Sequence, residues 1–224
     1  MKELGINNYS MVEIDKTDKP DSFAQLYRRA NPLPKARAKV PLLHFSSEDE
    51  QEGDIVLCES TVIVEFLAEM HDPRIQEKQA TFWPSSPQGR AKMRMFVELC
   101  GHHFDSYLAF SRVQDTAQVH AQHLHFRQNM KEVDTFLSYY YGDNKSDYAA
   151  EPDTLVLAEV HVAPFVQRCC GILPPPHDPL SIANDLCLEN LQAWLPRILK
   201  HGSVMATASP QDMRTRREKL VKRL

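Results

Sequence analysis

Two short apolar runs separated by a turn-rich insert constrain the fold more than any other part of this sequence. The first run is Ala38–Leu43, and the second begins at Ile55 and continues into a helix-like repeat. Pro41 lies inside the first run and cannot donate to a β ladder, so this strand should lie at an edge or a bulge. Val40-Pro41 is a candidate cis bond, and its neighbours keep backbone amides and carbonyls for a ligand.

The second run ends where a helix is expected to begin, at Glu59-Ser60. Apolar residues then recur at helical spacing, at Val62, Ile63, Phe66, Leu67 and Met70. The positive end of a helix, with its unpaired amides and a hydroxyl, can bind a carboxylate. Together the two features suit an extended, peptide-like ligand that carries a carboxylate. The alternative is a strand proline followed by an ordinary N-cap serine.

Lys39-Val40-Pro41 followed by Glu59-Ser60 resembles the glutathione transferases. The resemblance implies that the Val-Pro strand pairs with the cysteinyl backbone of glutathione, and that Glu59 and Ser60 hold its γ-glutamyl end. Glutathione would then be a co-substrate, with no metal required.

Further matches lie upstream and resemble the omega, lambda and dehydroascorbate-reductase-like branch of that family: Lys2-Glu3-Leu4-Gly5-Ile6, Val12-Glu13-Ile14-Asp15, Asp18-Lys19-Pro20 and Asn31-Pro32. In that branch a lysine just before such a proline reaches the glycine carboxylate of glutathione, which implies this role for Lys19. The chain departs from the family by carrying extra residues at 34–38, between Asn-Pro and Val-Pro.

The expected fold class is α/β plus all-α, in two domains. A strand over Tyr9–Ile14, a helix capped by Asp21 and the strand-strand-helix described above form the later part of a thioredoxin-like domain, residues 1–72. Prolines and serines interrupt the periodicity over residues 73–89, which we interpret as a linker. An all-helical C-terminal domain is expected over residues 90–224.

Three further helices are expected in the C-terminal half. The segment 155–165 is apolar on nearly every side, which predicts a buried helix. It resembles the central helix of the family, but Val156 occupies the usual capping position, so we expect Asp153 or Thr154 to cap it one turn earlier. A single helix is expected over Pro179–Leu199, and another should begin at Pro210, ahead of a basic tail.

No catalytic residue is assigned within this chain. In the resembling enzymes the catalytic hydroxyl or cysteine lies at the first strand-to-helix turn, and Met1 aligns after that turn, so the turn is expected upstream. Cys58 is a weak substitute: a helix N-terminus can depress a thiol pKa. Its strand context instead favours a buried packing cysteine.

A second-substrate pocket is implied by the same resemblance. The first C-terminal helix lines that pocket in the family, which makes His103, Phe104 and Tyr107 candidate contacts, with core packing as the alternative for the two aromatics. His120, His123 and His125 cluster along one predicted helix. No third ligand accompanies them at a fitting spacing, which favours surface histidines over a metal site.

Net charge and cysteine content indicate which binding partners and which cellular compartment to expect. A net charge of −4 and the lack of a membrane-length apolar run give no indication of a nucleic-acid or membrane partner. Five scattered cysteines without a Cys-x-x-Cys spacing fit reduced thiols and a cytoplasmic protein.

The predicted function is that of a glutathione S-transferase-like protein. It would bind glutathione and a small apolar or electrophilic substrate, as a homodimer, and perform thiol transfer, dehydroascorbate-type reduction or conjugation. The alternative is a non-catalytic binding or scaffold module with the same fold.

Overall fold

The computed structural model describes residues 4–15, 17–33, 35–46, 53–71, 83–84, 86–113, 115–142, 155–207 and 210–221. The chain divides into two compact units, Met1–Asp72 and Pro73–Leu224. The first mixes strands and helices, and the described part of the second is helical, as the predicted fold class requires.

The first unit is a β-hairpin with two helices packed on it. In chain order its elements are α1 (Asp21–Ala30), β1 (Leu42–Ser46), β2 (Asp54–Cys58) and α2 (Ser60–His71). The strands are antiparallel, with α1 contacting β2 and α2 contacting both strands. The small core comprises Phe23, Tyr27, Ile63, Leu67 and Ala68.

The strand predicted over Tyr9–Ile14 is wrong: these residues carry no regular secondary structure. Tyr9, Met11 and Val12 are exposed. A strand persists only when its backbone groups are paired, and within the described ranges the hairpin strands pair with each other alone. An apolar pattern by itself therefore did not create a strand here.

Two predicted boundaries also shift. β1 begins at Leu42, after Pro41, because proline has no amide to contribute to the ladder. Asp21 is the first residue of α1 and not its cap, since Pro20 occupies the cap position without a side-chain hydrogen bond. The Asp21 carboxylate still lies in the first turn, where the helix dipole favours a negative charge.

The second unit surrounds one buried helix. Its elements are α3 (Pro87–Asp105), a 3₁₀ helix (Ser106–Arg112), α4 (Thr116–Gly142), α5 (Leu157–Ile172), α6 (Pro179–Asp185), α7 (Glu189–Lys200), α8 (Gly202–Thr207) and α9 (Pro210–Val221). Helix α5 contacts α3, α6, α7, α8 and α9. This confirms the buried helix that the apolar segment 155–165 predicts.

The structure corrects two helix predictions in this unit. The span Pro179–Leu199 forms two helices, because the chain turns at Cys187, whose φ is +51°. Helix α5 is not capped from one turn earlier: Val156 is its cap residue, and the Glu159 carboxylate accepts the Val156 amide at 3.1 Å. Asp153 and Thr154 lie outside the described residues. None of the helices in the described ranges is both long and apolar enough to cross a membrane.

Candidate functional site

The open end of the hairpin brings the two motifs of the first unit together. Leu42 pairs with Cys58 at the last position of the ladder, so Pro41 and Glu59 leave the hairpin side by side. The Val40-Pro41 bond is cis, which confirms the sequence expectation. Val40, Pro41, Glu59 and Ser60 are all exposed, so this end of the hairpin is accessible to a ligand.

Glu59 has an unusual backbone at the start of α2. Its φ is +70°, in the left-handed region that residues with a Cβ rarely adopt. The Glu59 carbonyl accepts the Ile63 amide at 3.1 Å, which makes Glu59 the cap residue and Ser60 the first helical residue. The interpretation of Ser60 as an ordinary N-cap therefore does not hold.

This geometry leaves backbone amides without a helical partner at the start of α2. The amides of Ser60, Thr61 and Val62 precede the first i to i−4 bond of the helix and have no carbonyl partner within it. The positive end of the helix dipole lies at the same point. A carboxylate suits these donors and the Ser60 hydroxyl, and the adjacent residue Glu59 carries a negative charge that suits an ammonium group.

Lys19 lies just before α1, in the neighbourhood of Asp15. The Thr17 hydroxyl and amide each donate to the Asp15 carboxylate at 2.7 Å. These bonds, with a smaller contribution from the nearby Lys19, hold the pKa of Asp15 below its usual value. A contact between Lys19 and glutathione stays a prediction.

Cys58 is the described cysteine closest to this site in the chain. It ends β2, is partly buried, and directly precedes Glu59. Burial raises the pKa of the Cys100, Cys169 and Cys170 thiols, so those three remain protonated at neutral pH.

The three residues assigned to a second-substrate pocket occupy different environments. Phe104 is fully buried and its ring stacks near Trp194, with centroids 6.2 Å apart. Tyr107 lies in the 3₁₀ helix and is also buried. His103 reaches the surface of α3, where its Nε2 lies 3.2 Å from Glu132 Oε2 on α4.

His103 lines an open groove of about 440 Å³ between α3 and α4. The groove is mainly apolar apart from the His103–Glu132 pair, and its other lining residues are Leu99, Cys100, Val133, Thr135, Phe136 and Tyr139. These side chains follow the helical spacing of α3 and α4, yet only the packing of the two helices shows which of them meet.

Sequence reasoning missed a histidine pair in the second unit. Nδ1 of His123 on α4 lies 3.0 Å from Nδ1 of His177, which is in the loop between α5 and α6. His177 follows three prolines and belongs to no periodic pattern, so no local signal could have paired it with His123. Among the described residues, no group of three or more His, Cys, Asp and Glu side chains is arranged to hold a metal.

The sequence and the structure of this chain are similar to those of known proteins. Residues 1–70 match the family model of the glutathione S-transferase N-terminal domain. No curated protein matches the chain.

A solved structure, the trimeric glutathione transferase TDR1 of Leishmania, is similar over 95% of this chain and 42% of its own chain, with a TM-score of 0.63 and 18% sequence identity. The present chain thus spans less than half the length of that relative, and at this identity the likeness concerns the fold. The homodimer and the omega-like branch stay predictions. Residues 1–70 thus match the N-terminal domain of the glutathione S-transferases, and over 95% of its length the chain has the fold of a glutathione transferase.

Proposed function

We propose that this protein binds glutathione at the open end of the hairpin, through Val40, Pro41, Glu59 and Ser60, and uses it in thiol transfer, dehydroascorbate-type reduction or conjugation. The observation that carries the proposal is the register of the hairpin, in which Leu42 opposite Cys58 places Pro41 beside Glu59. Two motifs 18 residues apart in the chain thereby meet at one exposed surface.

Each half of the site matches a different part of the tripeptide. The Val40 backbone, exposed ahead of β1, offers the amide and carbonyl that an extended peptide pairs with. The α-carboxylate of the γ-glutamyl residue suits the Ser60 hydroxyl and the first amides of α2. Its α-ammonium suits the Glu59 carboxylate, which supplies the negative charge that the helix start lacks.

The test is a calorimetric titration of the protein with reduced glutathione. Ser60→Ala removes a hydroxyl that would bind a charged group, which is worth about 1.5–3 kcal/mol, so affinity should fall by about tenfold to a hundredfold. Ser86→Ala is the matched control: Ser86 also starts a helix, accepting the Gly89 amide at 3.0 Å, but it lies in the second unit. An unchanged affinity in Ser60→Ala would contradict the proposal.

An assay of substrate turnover then distinguishes an enzyme from a non-catalytic binding module. Burial keeps the thiols of Cys100, Cys169 and Cys170 protonated, which argues against these three as the source of the reactive sulfur. Glutathione binding accompanied by turnover of a disulfide, dehydroascorbate or an electrophile supports the enzyme. Binding without any such turnover supports the non-catalytic module.

A further inference from the structure

The pair formed by His123 and His177 joins two separate elements of the helical unit. The two Nδ1 atoms are 3.0 Å apart, and the imidazole rings are nearly perpendicular, at 89° with centroids 4.7 Å apart. Both residues are partly buried. The contact therefore ties α4 to the loop at residues 173–178.

The charged groups around the pair have other partners. Arg127, one turn after His123 on α4, pairs with the Asp185 carboxylate at 2.5 Å. The Asp178 carboxylate accepts the Ser181 amide at 3.0 Å and the Ser181 hydroxyl at 2.6 Å, which starts α6. Both carboxylates thus have hydrogen-bond or ion-pair partners other than the two imidazoles.

The ring of Phe110 covers one side of His177, with centroids 5.5 Å apart. This aromatic contact limits how far the imidazole can rotate, so the Nδ1 atom of His177 is held toward α4. Packing against Phe110 thus positions the His177 side of the pair.

At 3.0 Å the two Nδ1 atoms form a hydrogen bond, in which one nitrogen carries the proton and the other a lone pair. For one metal ion to bind both Nδ1 atoms, the donor imidazole must change to its other neutral tautomer, with the proton on Nε2. A neutral imidazole nitrogen is the commonest protein ligand of Zn²⁺ and also suits Ni²⁺ and Cu²⁺. Metal–nitrogen bonds of about 2.0–2.1 Å at a tetrahedral angle place the two nitrogens about 3.3 Å apart. A shift of a few tenths of an ångström would open the observed contact to that separation.

We propose that His123 and His177 bind one divalent transition-metal ion of the Zn²⁺, Ni²⁺ and Cu²⁺ class, which links α4 to the loop at residues 173–178. The described residues hold no cluster of three or more ligating side chains, so water completes the coordination shell. The order of affinities should follow the usual series for nitrogen ligands, with Cu²⁺ bound most tightly. The metal site shares no residue with the proposed glutathione site, and the proposal does not depend on glutathione binding.

The experiment is a calorimetric titration of the chelator-treated full chain with ZnCl₂ and, separately, CuCl₂. All proteins carry Cys187→Ser, because Cys187 is an exposed thiol that would compete for the ion. The parent protein should bind one equivalent of metal. His177→Gln should weaken binding by about tenfold or more, since losing even an outer-shell partner of a metal ligand costs that much.

His120→Gln is the matched control. His120 lies one turn before His123 on α4 and is exposed, so the two could bind a metal within a single helix. Affinity kept in His120→Gln and lost in His177→Gln supports the link between α4 and the loop. The reverse pattern, or no saturable binding by the parent protein, would overturn the proposal, and circular dichroism verifies that each variant is folded.

Amide hydrogen exchange supplies a second readout that does not rely on affinity. A metal bridging the two elements should slow exchange in the loop at residues 173–178, and the slowing should disappear in His177→Gln. Exchange in this loop that is unaffected by bound metal would also overturn the proposal.

Discussion

Arg197 on α7 donates to the carboxylate of Glu159, which is fully buried in α5. Three more donors converge on the same carboxylate: the Val156 amide at 3.1 Å, the Tyr141 hydroxyl at 2.5 Å and the Trp194 indole at 2.9 Å. The Glu159 side chain thus caps the N-terminus of α5 and links this helix to α4 and α7. Because a buried charge needs such partners, this network should be a main source of stability in the helical unit.

Arg197→Met should lower the free energy of unfolding by about 3 kcal/mol, because it leaves the Glu159 charge buried with only neutral donors. Urea unfolding followed by tryptophan fluorescence measures the change, since Trp83 and Trp194 both lie in this unit. Arg127→Met is the matched control: its partner Asp185 is 62% exposed, so its loss should cost at most about 1 kcal/mol. Equal losses in the two variants would contradict the importance of the buried network.

Replacement of Glu59 should separate backbone strain from ligand binding. Glu59→Gly and Glu59→Ala both remove the carboxylate, but only glycine adopts a φ of +70° without steric cost. The glycine variant should therefore be more stable than the alanine variant by about 1 kcal/mol.

Amide hydrogen exchange in β2 and α2 measures this difference, because both tryptophans lie in the other unit and do not report on it. Both variants should bind glutathione more weakly than the parent, since both lack the carboxylate. Indistinguishable exchange in the two variants would show that the left-handed backbone at Glu59 carries no strain.

His103 should make the stability of the helical unit depend on pH. Burial lowers the pKa of His103 below its ordinary value of 6.5, while Glu132 raises it and His102 and His125 lower it. The unfolded chain thus binds a proton at a higher pH than the folded one. The stability contributed by neutral His103 is present above pH 6.5 and is lost as the pH falls from there toward the lowered folded pKa.

Urea unfolding of the parent protein and of His103→Gln between pH 7.5 and 5 tests this expectation. The parent should lose stability more steeply as the pH falls, by at most about 1.4 kcal/mol per pH unit for one proton. The glutamine variant removes this one titration and leaves the others in place. Identical slopes would contradict the assignment.

The sequence was informative where chemistry depends on neighbours in the chain. The proline after Val40 predicted a cis bond at the edge of the hairpin, and the change to helical periodicity after Glu59 located the start of α2. The apolar segment at 155–165 predicted the buried helix α5. Each of these predictions depends on a local rule. Proline lacks a backbone N–H and restricts its own backbone, and a helix places every third or fourth residue on one face.

The tertiary structure decided what depends on distant partners. The pattern at Tyr9–Ile14 resembles a strand but pairs with no described strand, and Phe104 lies in the core although its helix could also have presented it to a pocket. Local patterns cannot distinguish these outcomes, because a strand requires a partner and burial requires a surface to pack against.

By itself, then, the sequence determined the start of α2, the buried helix α5 and the two motifs of the proposed glutathione site. Only the tertiary structure placed Pro41 beside Glu59, gave Glu59 its left-handed backbone, and brought His123 to His177 across 54 residues of chain. The physical reason is that strand register and helix packing minimise the free energy of the whole chain, so they bring together groups that no local pattern relates.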